Sequence, residues 1–231
     1  MSTIDTPAAQ AIEREDPRDP AAARRLIVEG EADDGPIDDQ ALDAALGLRI
    51  AAVEGRLDML RLLDRHGVQR FDQGDLSYEV VRAFYRALAP EIARRPELRL
   101  LDLGSGYGRF GFYGALRHGL SVHGLELVAE RAQEAARAAR VLGLAGLAFE
   151  AGDMLEAAWP HADVYCMMNA VLPRLLPPVL ARLEREARER RIVVASVSTS
   201  NRAFGQAEWL REVPVVAEGL AGRELRMWES V

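Results

Sequence analysis

The chain has 231 residues, 49% hydrophobic and 28% charged, with 36 acidic side chains, 29 basic ones and a formal net charge of −7. This balance supports a buried core under a solvated surface and argues against broad affinity for nucleic acid or anionic membrane, which need a cationic footprint. Every basic side chain is arginine, so no lysine is available for a Schiff base or a phosphate clamp, and the single cysteine, Cys166, excludes an intrachain disulfide and a Cys-rich zinc site.

Residues 1 to about 20 hold Pro7, Pro17 and Pro20 among small and charged residues and read as a loose tail or lead-in helix. They show no basic region followed by an apolar one, and no apolar run nears the ~20 residues needed to cross a bilayer, so a cytoplasmic protein without a membrane partner is expected. Ala21 to Val28 is a short helix candidate. Glu29 to Asp39 carries six acids with Gly30, Gly35 and Pro36 and reads as a solvated loop. From Ala41 to His66, Leu42, Ala45, Leu46, Ile50 and Val53, then Leu57, Leu60 and Leu63, recur at helical spacing. Gly55 interrupts the run and Gly67 stands where a helix would end, which predicts a helical hairpin. This segment also resembles the helix pair of one ankyrin repeat, but a stack needs about three repeats, so a helical cap on the following domain is the favoured reading. The chain therefore divides into an N-terminal tail and cap over 1–74 and a second domain over 75–231.

A helix is expected at about Tyr78 to Ala93, ended by Pro96. Beyond it, short apolar runs at 99–103, 121–125, 147–150, 164–168 and 192–197 alternate with helical stretches at about 108–118, 128–142 and 174–190. Such alternation implies an α/β, doubly wound, mostly parallel sheet with a ligand crevice at the carboxyl ends of its strands. The Arg/Glu face of 174–190, with Glu184/Arg188 and Glu186/Arg190 four apart, reads as solvated. Val213 to Ala217 and Glu224 to Trp228 read as a terminal hairpin.

The segment Leu100 to Gly111 (LLDLGSGYGRFG) runs from an apolar strand through a glycine-rich turn into a helix, the arrangement a nucleotide crevice requires. Gly104, Gly106 and Gly108 permit backbone angles and a close ligand approach that a side chain would block. Asp102 bears on the kind of ligand. A carboxylate at the strand tip would repel a pyrophosphate but attract an ammonium and a sulfonium, and S-adenosylmethionine (SAM) carries both without a phosphate. Glu126, after the second strand, can accept both ribose hydroxyls. Asp153, after the third, can accept from an adenine amino group, with Met154 beside the ring.

On LLDLGSGYGRFG, VHGLEL around Glu126 and the triplet Gly152-Asp153-Met154, the chain from about Asp75 onward resembles the class I SAM-dependent methyltransferases. The resemblance implies a seven-stranded sheet with an antiparallel final strand, supplied by the C-terminal hairpin. It assigns Asp102, Gly104, Ser105 and Gly106 to the methionine part of SAM, Glu126 to the ribose and Asp153 to the adenine. Tyr107, Gly108, Leu127 and Met154, beside those residues, complete the expected cofactor contacts, and Trp159 is a candidate cover for the adenine. Methyl transfer from an activated sulfonium needs mainly in-line positioning. Asn169, the first polar residue after Met167 and Met168, is the candidate for orienting the acceptor or for capping the next turn. His161 is the candidate base, and Tyr78 and Tyr113 are candidates for the substrate side. The segment from Asp163 to Val197 is more weakly similar to small lysine methyltransferases. The expected acceptor is an N or O nucleophile on a small molecule, peptide or protein, with no nucleic-acid partner and with the N-terminal helices available for a homodimer. An NAD(P)-dependent oxidoreductase and a non-enzymatic SAM-binding protein are the alternatives.

Overall fold

Apolar runs flanked by amphipathic helices must be covered on both faces, and the computed structural model, which describes residues 19–32, 35–66, 76–168, 170, 172–197, 200–214 and 225–231, covers them with helices. The strands are β1 (Arg99–Leu103), β2 (Ser121–Glu126), β3 (Leu147–Ala151), β4 (Val164–Met167), β5 (Val193–Val197), β6 (Leu210–Val213) and β7 (Leu225–Ser230). They form one seven-stranded sheet in the order β3-β2-β1-β4-β5-β7-β6. The first five are parallel; β7 runs antiparallel to β5 and to β6. The order reverses between β1 and β4, so the crevice at this switch point opens over the carboxyl ends of the central strands.

Alternation along β1 divides the core. Leu100 joins one apolar cluster with Phe84, Phe110, Phe112 and Val122, while Leu101 and Leu103 join a second with Tyr165, Leu183, Phe204 and Trp228. The first is covered by α5 (Tyr78–Arg94), α6 (Arg109–His118) and α7 (Ala129–Val141), the second by α8 (Leu176–Glu189) and the short α9 (Asn201–Phe204), which the sequence reading lacks. Within α6, Gly114 is required by packing, because a Cβ there would strike the Tyr85 ring of α5. The expected Glu184–Arg188 pair forms on α8, at 2.7 Å.

The N-terminal region is α1 (Pro20–Ala32), α2 (Asp39–Leu46), α3 (Ile50–Glu54) and α4 (Met59–His66). Ala23, Ile27, Leu42, Leu46 and Val53 are buried in the first cluster itself, so these helices share a core with the sheet layer. Three expectations are corrected here. Helix α1 runs through Gly30 to Ala32, into the stretch read as a solvated loop, and Glu31 accepts from Tyr113 (2.6 Å) and Arg117 (2.5 Å) of α6. The hairpin is three short helices, because Gly47 adopts φ 71° and ends α2 eight residues before Gly55. Asp38, also in the acidic stretch, caps α2 by accepting from the amides of Gln40 and Ala41, both at 3.0 Å. Helix α4 sends no side chain into the core, and Leu60 is 79% exposed. The C-terminal hairpin begins at Leu210, earlier than expected; residues 215–224, together with Gly67 and the 74/75 boundary, lie outside the described residues.

Candidate functional site

Between β1 and α6 the chain makes three left-handed glycine conformations in five residues: φ is 84° at Gly104, 55° at Gly106 and 77° at Gly108. The reason for glycine differs at each. A Cβ on Gly104 would collide with the Cβ of Ala170, and one on Gly108 would lie 2.5 Å from the Phe149 ring of β3. A Cβ on Gly106 would meet nothing within 4 Å among the described residues. Gly104 and Gly108 are therefore packing glycines, and the open space lies over Gly106. The loop is pinned to the end of β2, since the amides of Gly104 and Ser105 both donate to the Leu125 carbonyl, at 2.8 and 3.0 Å. The Ser105 hydroxyl is buried toward Gly124, where a Cβ would lie 2.6 Å from it, and finds no hydrogen-bond partner among the described residues.

Glu126 is 7% exposed, and both carboxylate oxygens are engaged. Oε2 accepts from the Gly106 amide at 2.8 Å and Oε1 from the Val128 amide at 2.9 Å. The carboxylate thus ties the glycine loop to the start of α7 while keeping lone pairs for two further donors. Asp102 is 3% exposed. Its burial, reinforced by the negative charge of Glu126, pushes its carboxyl up to about 7. On the far side of the loop Tyr107 donates to Glu54 of α3 at 2.6 Å. Arg131 of α7 donates to the same carboxylate at 2.8 and 3.1 Å.

After β3, Asp153 accepts from the Leu155 amide at 2.8 Å and folds the chain into a turn. That turn is held from α8. Arg182 donates to the carbonyls of Met154 (3.0 Å) and Ala157 (2.6 Å) and lies 4.1 Å over the Trp159 ring, whose Nε1 also donates to the Met154 carbonyl at 3.0 Å. The turn brings the Met154 methyl to 3.7 Å from where a Gly104 Cβ would stand. Arg182→Ala is expected to lower stability by about 1–2 kcal/mol in urea unfolding, from lost charged hydrogen bonds and the ring contact.

The structure therefore brings Asp102, Gly104, Gly106, Glu126 and Met154 together, with Asp153 in the same turn as Met154 and the half-buried Leu127 directly after Glu126. It places other expected residues elsewhere. The Ser105 side chain turns inward, Gly108 backs onto Phe149, and the Tyr107 hydroxyl is committed to Glu54. Tyr78 and Tyr113 are fully buried and do not line an acceptor path. Tyr78 donates to Asp43 at 3.0 Å beneath the Arg109 guanidinium, and Tyr113 donates to Glu31, so both fasten the N-terminal helices. His161 is exposed on the wrong edge of the sheet: the amide of Asp163, two residues on, donates to the carbonyl of Arg99 at the start of β1 (2.8 Å), opposite the crevice. Asn169 lies outside the described residues. Glu54 and Arg182 were missed. Arg182 stands on a charged helix face with the periodicity of a solvated one, and Glu54 lies far from the motif in sequence.

No protein-family model matches the chain, and no curated protein does. Solved structures do. The mitomycin 7-O-methyltransferase MmcR is 17% identical, with a TM-score of 0.51 over 93% of this chain and 72% of its own. YhhF of Escherichia coli, named as a candidate methyltransferase, is 14% identical, with a TM-score of 0.51 over 68% of this chain and 88% of its own. An RNA methyltransferase from Salinibacter ruber, crystallised with S-adenosyl-L-homocysteine, is 27% identical over 65% of this chain and 90% of its own, with a TM-score of 0.46. The chain has the fold of the class I SAM-dependent methyltransferases, a Rossmann-like α/β sheet preceded here by N-terminal helices.

Proposed function

We propose that the protein is a methyltransferase that binds SAM over Gly106 and transfers its methyl group to an N or O nucleophile of a small molecule, peptide or protein. The observation that carries this reading is the Glu126 carboxylate, fixed by the amides of Gly106 and Val128 beside the open space over Gly106. A neighbouring buried Asp102 and the absence of any lysine disfavour a pyrophosphate in the same place and suit a ligand bearing an ammonium and a sulfonium.

The residues fit such a cofactor. Glu126 would accept the ribose hydroxyls, Asp102 would compensate the cationic end, and the Asp153–Met154 turn would flank the adenine. Bound SAM would supply an already activated methyl group. The protein's part is then to align the acceptor and exclude water, for which an in-line geometry suffices. With His161 on the opposite edge, no base is assigned. Asn169, which follows Met168 in the sequence, is proposed to orient the acceptor.

Asp102 makes the affinity depend on pH. A cationic ligand favours the ionised carboxylate, so below about pH 7 binding must displace a proton. The SAM affinity is expected to fall by up to about tenfold per pH unit below this midpoint and to level off above it, and Asp102→Asn is expected to flatten the profile. The stability of the free protein is expected to follow the opposite trend. With the folded-state value raised above the ordinary 3.8, this group's stabilisation is complete below about pH 4 and is lost as the pH rises through about 7. Calorimetric titration and thermal unfolding across pH 5 to 8.5 read both.

Incubation with methyl-labelled SAM and fractionated extracts tests the function. Label is expected in the small-molecule or protein fraction. Label in RNA alone would overturn the acceptor class, and no label in any fraction from a protein that binds SAM would favour the non-enzymatic alternative.

A further inference from the structure

The two amides that hold Glu126 belong to separate segments, Gly106 to the glycine loop and Val128 to the start of α7. Glu54, at the end of α3, grips the same two segments from outside. One grip is the hydroxyl of Tyr107, the residue after Gly106, at 2.6 Å. The other is the guanidinium of Arg131, at 2.8 and 3.1 Å, and the Arg131 amide donates to the Val128 carbonyl at 3.1 Å. Tyr107 and Arg131 are 7% and 4% exposed, so both donors are buried, while the Glu54 carboxylate that receives them is half-buried. Burial opposes the charge on Arg131, but hydrogen bonds to Glu54 and the charges of Glu54 and Glu126 outweigh it and raise its pKa. Arg131 therefore feels the negative charge of both carboxylates, while its guanidinium donates to Glu54.

We infer that Glu54 is a positioning residue for the cofactor. Through Tyr107 and Arg131 it sets the spacing of the Gly106 and Val128 amides, and so the orientation of Glu126 toward the ribose. The N-terminal helices are then part of the cofactor site, in addition to any cover they give the acceptor. This rests on the SAM reading above. A residue that only glued the N-terminal helices to α7 would behave like Glu134 of α7, which accepts from the Arg49 amide at 2.8 Å and from Arg137 of its own helix at 2.7 Å and, among the described residues, makes no hydrogen bond to the loop.

The test compares Glu54→Gln, Tyr107→Phe and Glu134→Gln in the full chain. For S-adenosylhomocysteine, Glu54→Gln is expected to raise Kd about tenfold and Tyr107→Phe about threefold. Glu134→Gln should change Kd less than twofold, whatever its effect on Tm. Because Glu54 acts through Glu126, the double variant Glu54→Gln/Glu126→Gln should bind no more than about twofold worse than Glu126→Gln alone. Fully additive losses, or an equal Kd change in Glu134→Gln, would overturn the inference. Hydrogen exchange of the ligand-free variants separates this outcome from failure of the SAM reading. Glu54→Gln should speed exchange at 104–108 and 126–132 and Glu134→Gln should not. Unchanged exchange there would overturn the bracing even if the wild type binds SAM, and faster exchange in Glu54→Gln alongside a wild type that binds no SAM would leave the brace standing and remove the function.

Discussion

Gly106→Ala is expected to leave the protein folded and to abolish cofactor binding, whereas the same substitution at Gly108 should remove a large share of its stability. At Gly106 the added methyl meets no atom within 4 Å among the described residues, so its cost to the free protein is the left-handed backbone alone, about 1–2 kcal/mol. The methyl then occupies the space assigned to the ligand. At Gly108 the same backbone strain adds to a clash 2.5 Å from Phe149. That ring cannot retreat easily. It is buried, sits 5.5 Å from Phe112, and also backs onto Gly111 and Gly124. Overpacking of this kind costs about 1–3 kcal/mol, so the sum approaches about 2–5 kcal/mol, a large share of a domain's stability. Urea unfolding with calorimetric titration of S-adenosylhomocysteine decides the pair. Equal destabilisation in both variants, or wild-type affinity in Gly106→Ala, would mean that the ligand does not lie where the loop is open.

Glu126→Gln is expected to weaken cofactor binding by about ten- to a hundredfold and to cost about 1–3 kcal/mol of stability. A glutamine keeps one acceptor oxygen and places an amide nitrogen where the second stood. Since Gly106 and Val128 both donate, one of them must then face another donor. The ribose meanwhile loses an anionic acceptor. A second consequence distinguishes local repacking from the proposed electrostatics. Removing the Glu126 charge takes away one of the two causes that raise Asp102, so the midpoint of the pH dependence should move below about 7. An unchanged midpoint would contradict that coupling between the two carboxylates.

The centre of the sheet was legible because β1, β4 and β5 are buried on both faces and read as continuous apolar runs. The run at 99–103 is β1 to the residue, and the runs at 121–125 and 147–150 fall one residue short of β2 and β3. Asp102 within β1, Glu126 as the last residue of β2 and Asp153 two residues past β3 fall at one edge of the sheet, because parallel strands deliver their last residues to the same side. What escaped depended on partners distant in sequence. Glu31 looked solvated because the Tyr113 and Arg117 that bind it lie more than eighty residues away. Tyr78 and Tyr113 looked available because their hydroxyl partners, Asp43 and Glu31, stand on helices whose docking no local pattern announces. His161 failed for a topological reason. The loop from β3 to β4 crosses the sheet from its carboxyl to its amino edge, and His161 lies near the far end. The glycines carried a mixed signal, since a conformational need shared by all three hides packing at Gly104 and Gly108 and leaves the space over Gly106 as the distinctive one.

The most direct measurement is a calorimetric titration of the purified chain with S-adenosylhomocysteine and, separately, with NADH at pH 8. One molecule of S-adenosylhomocysteine per chain, bound by the wild type and lost in Gly106→Ala, with no heat from NADH, is the expected result; tight NADH binding with no response to S-adenosylhomocysteine would contradict it.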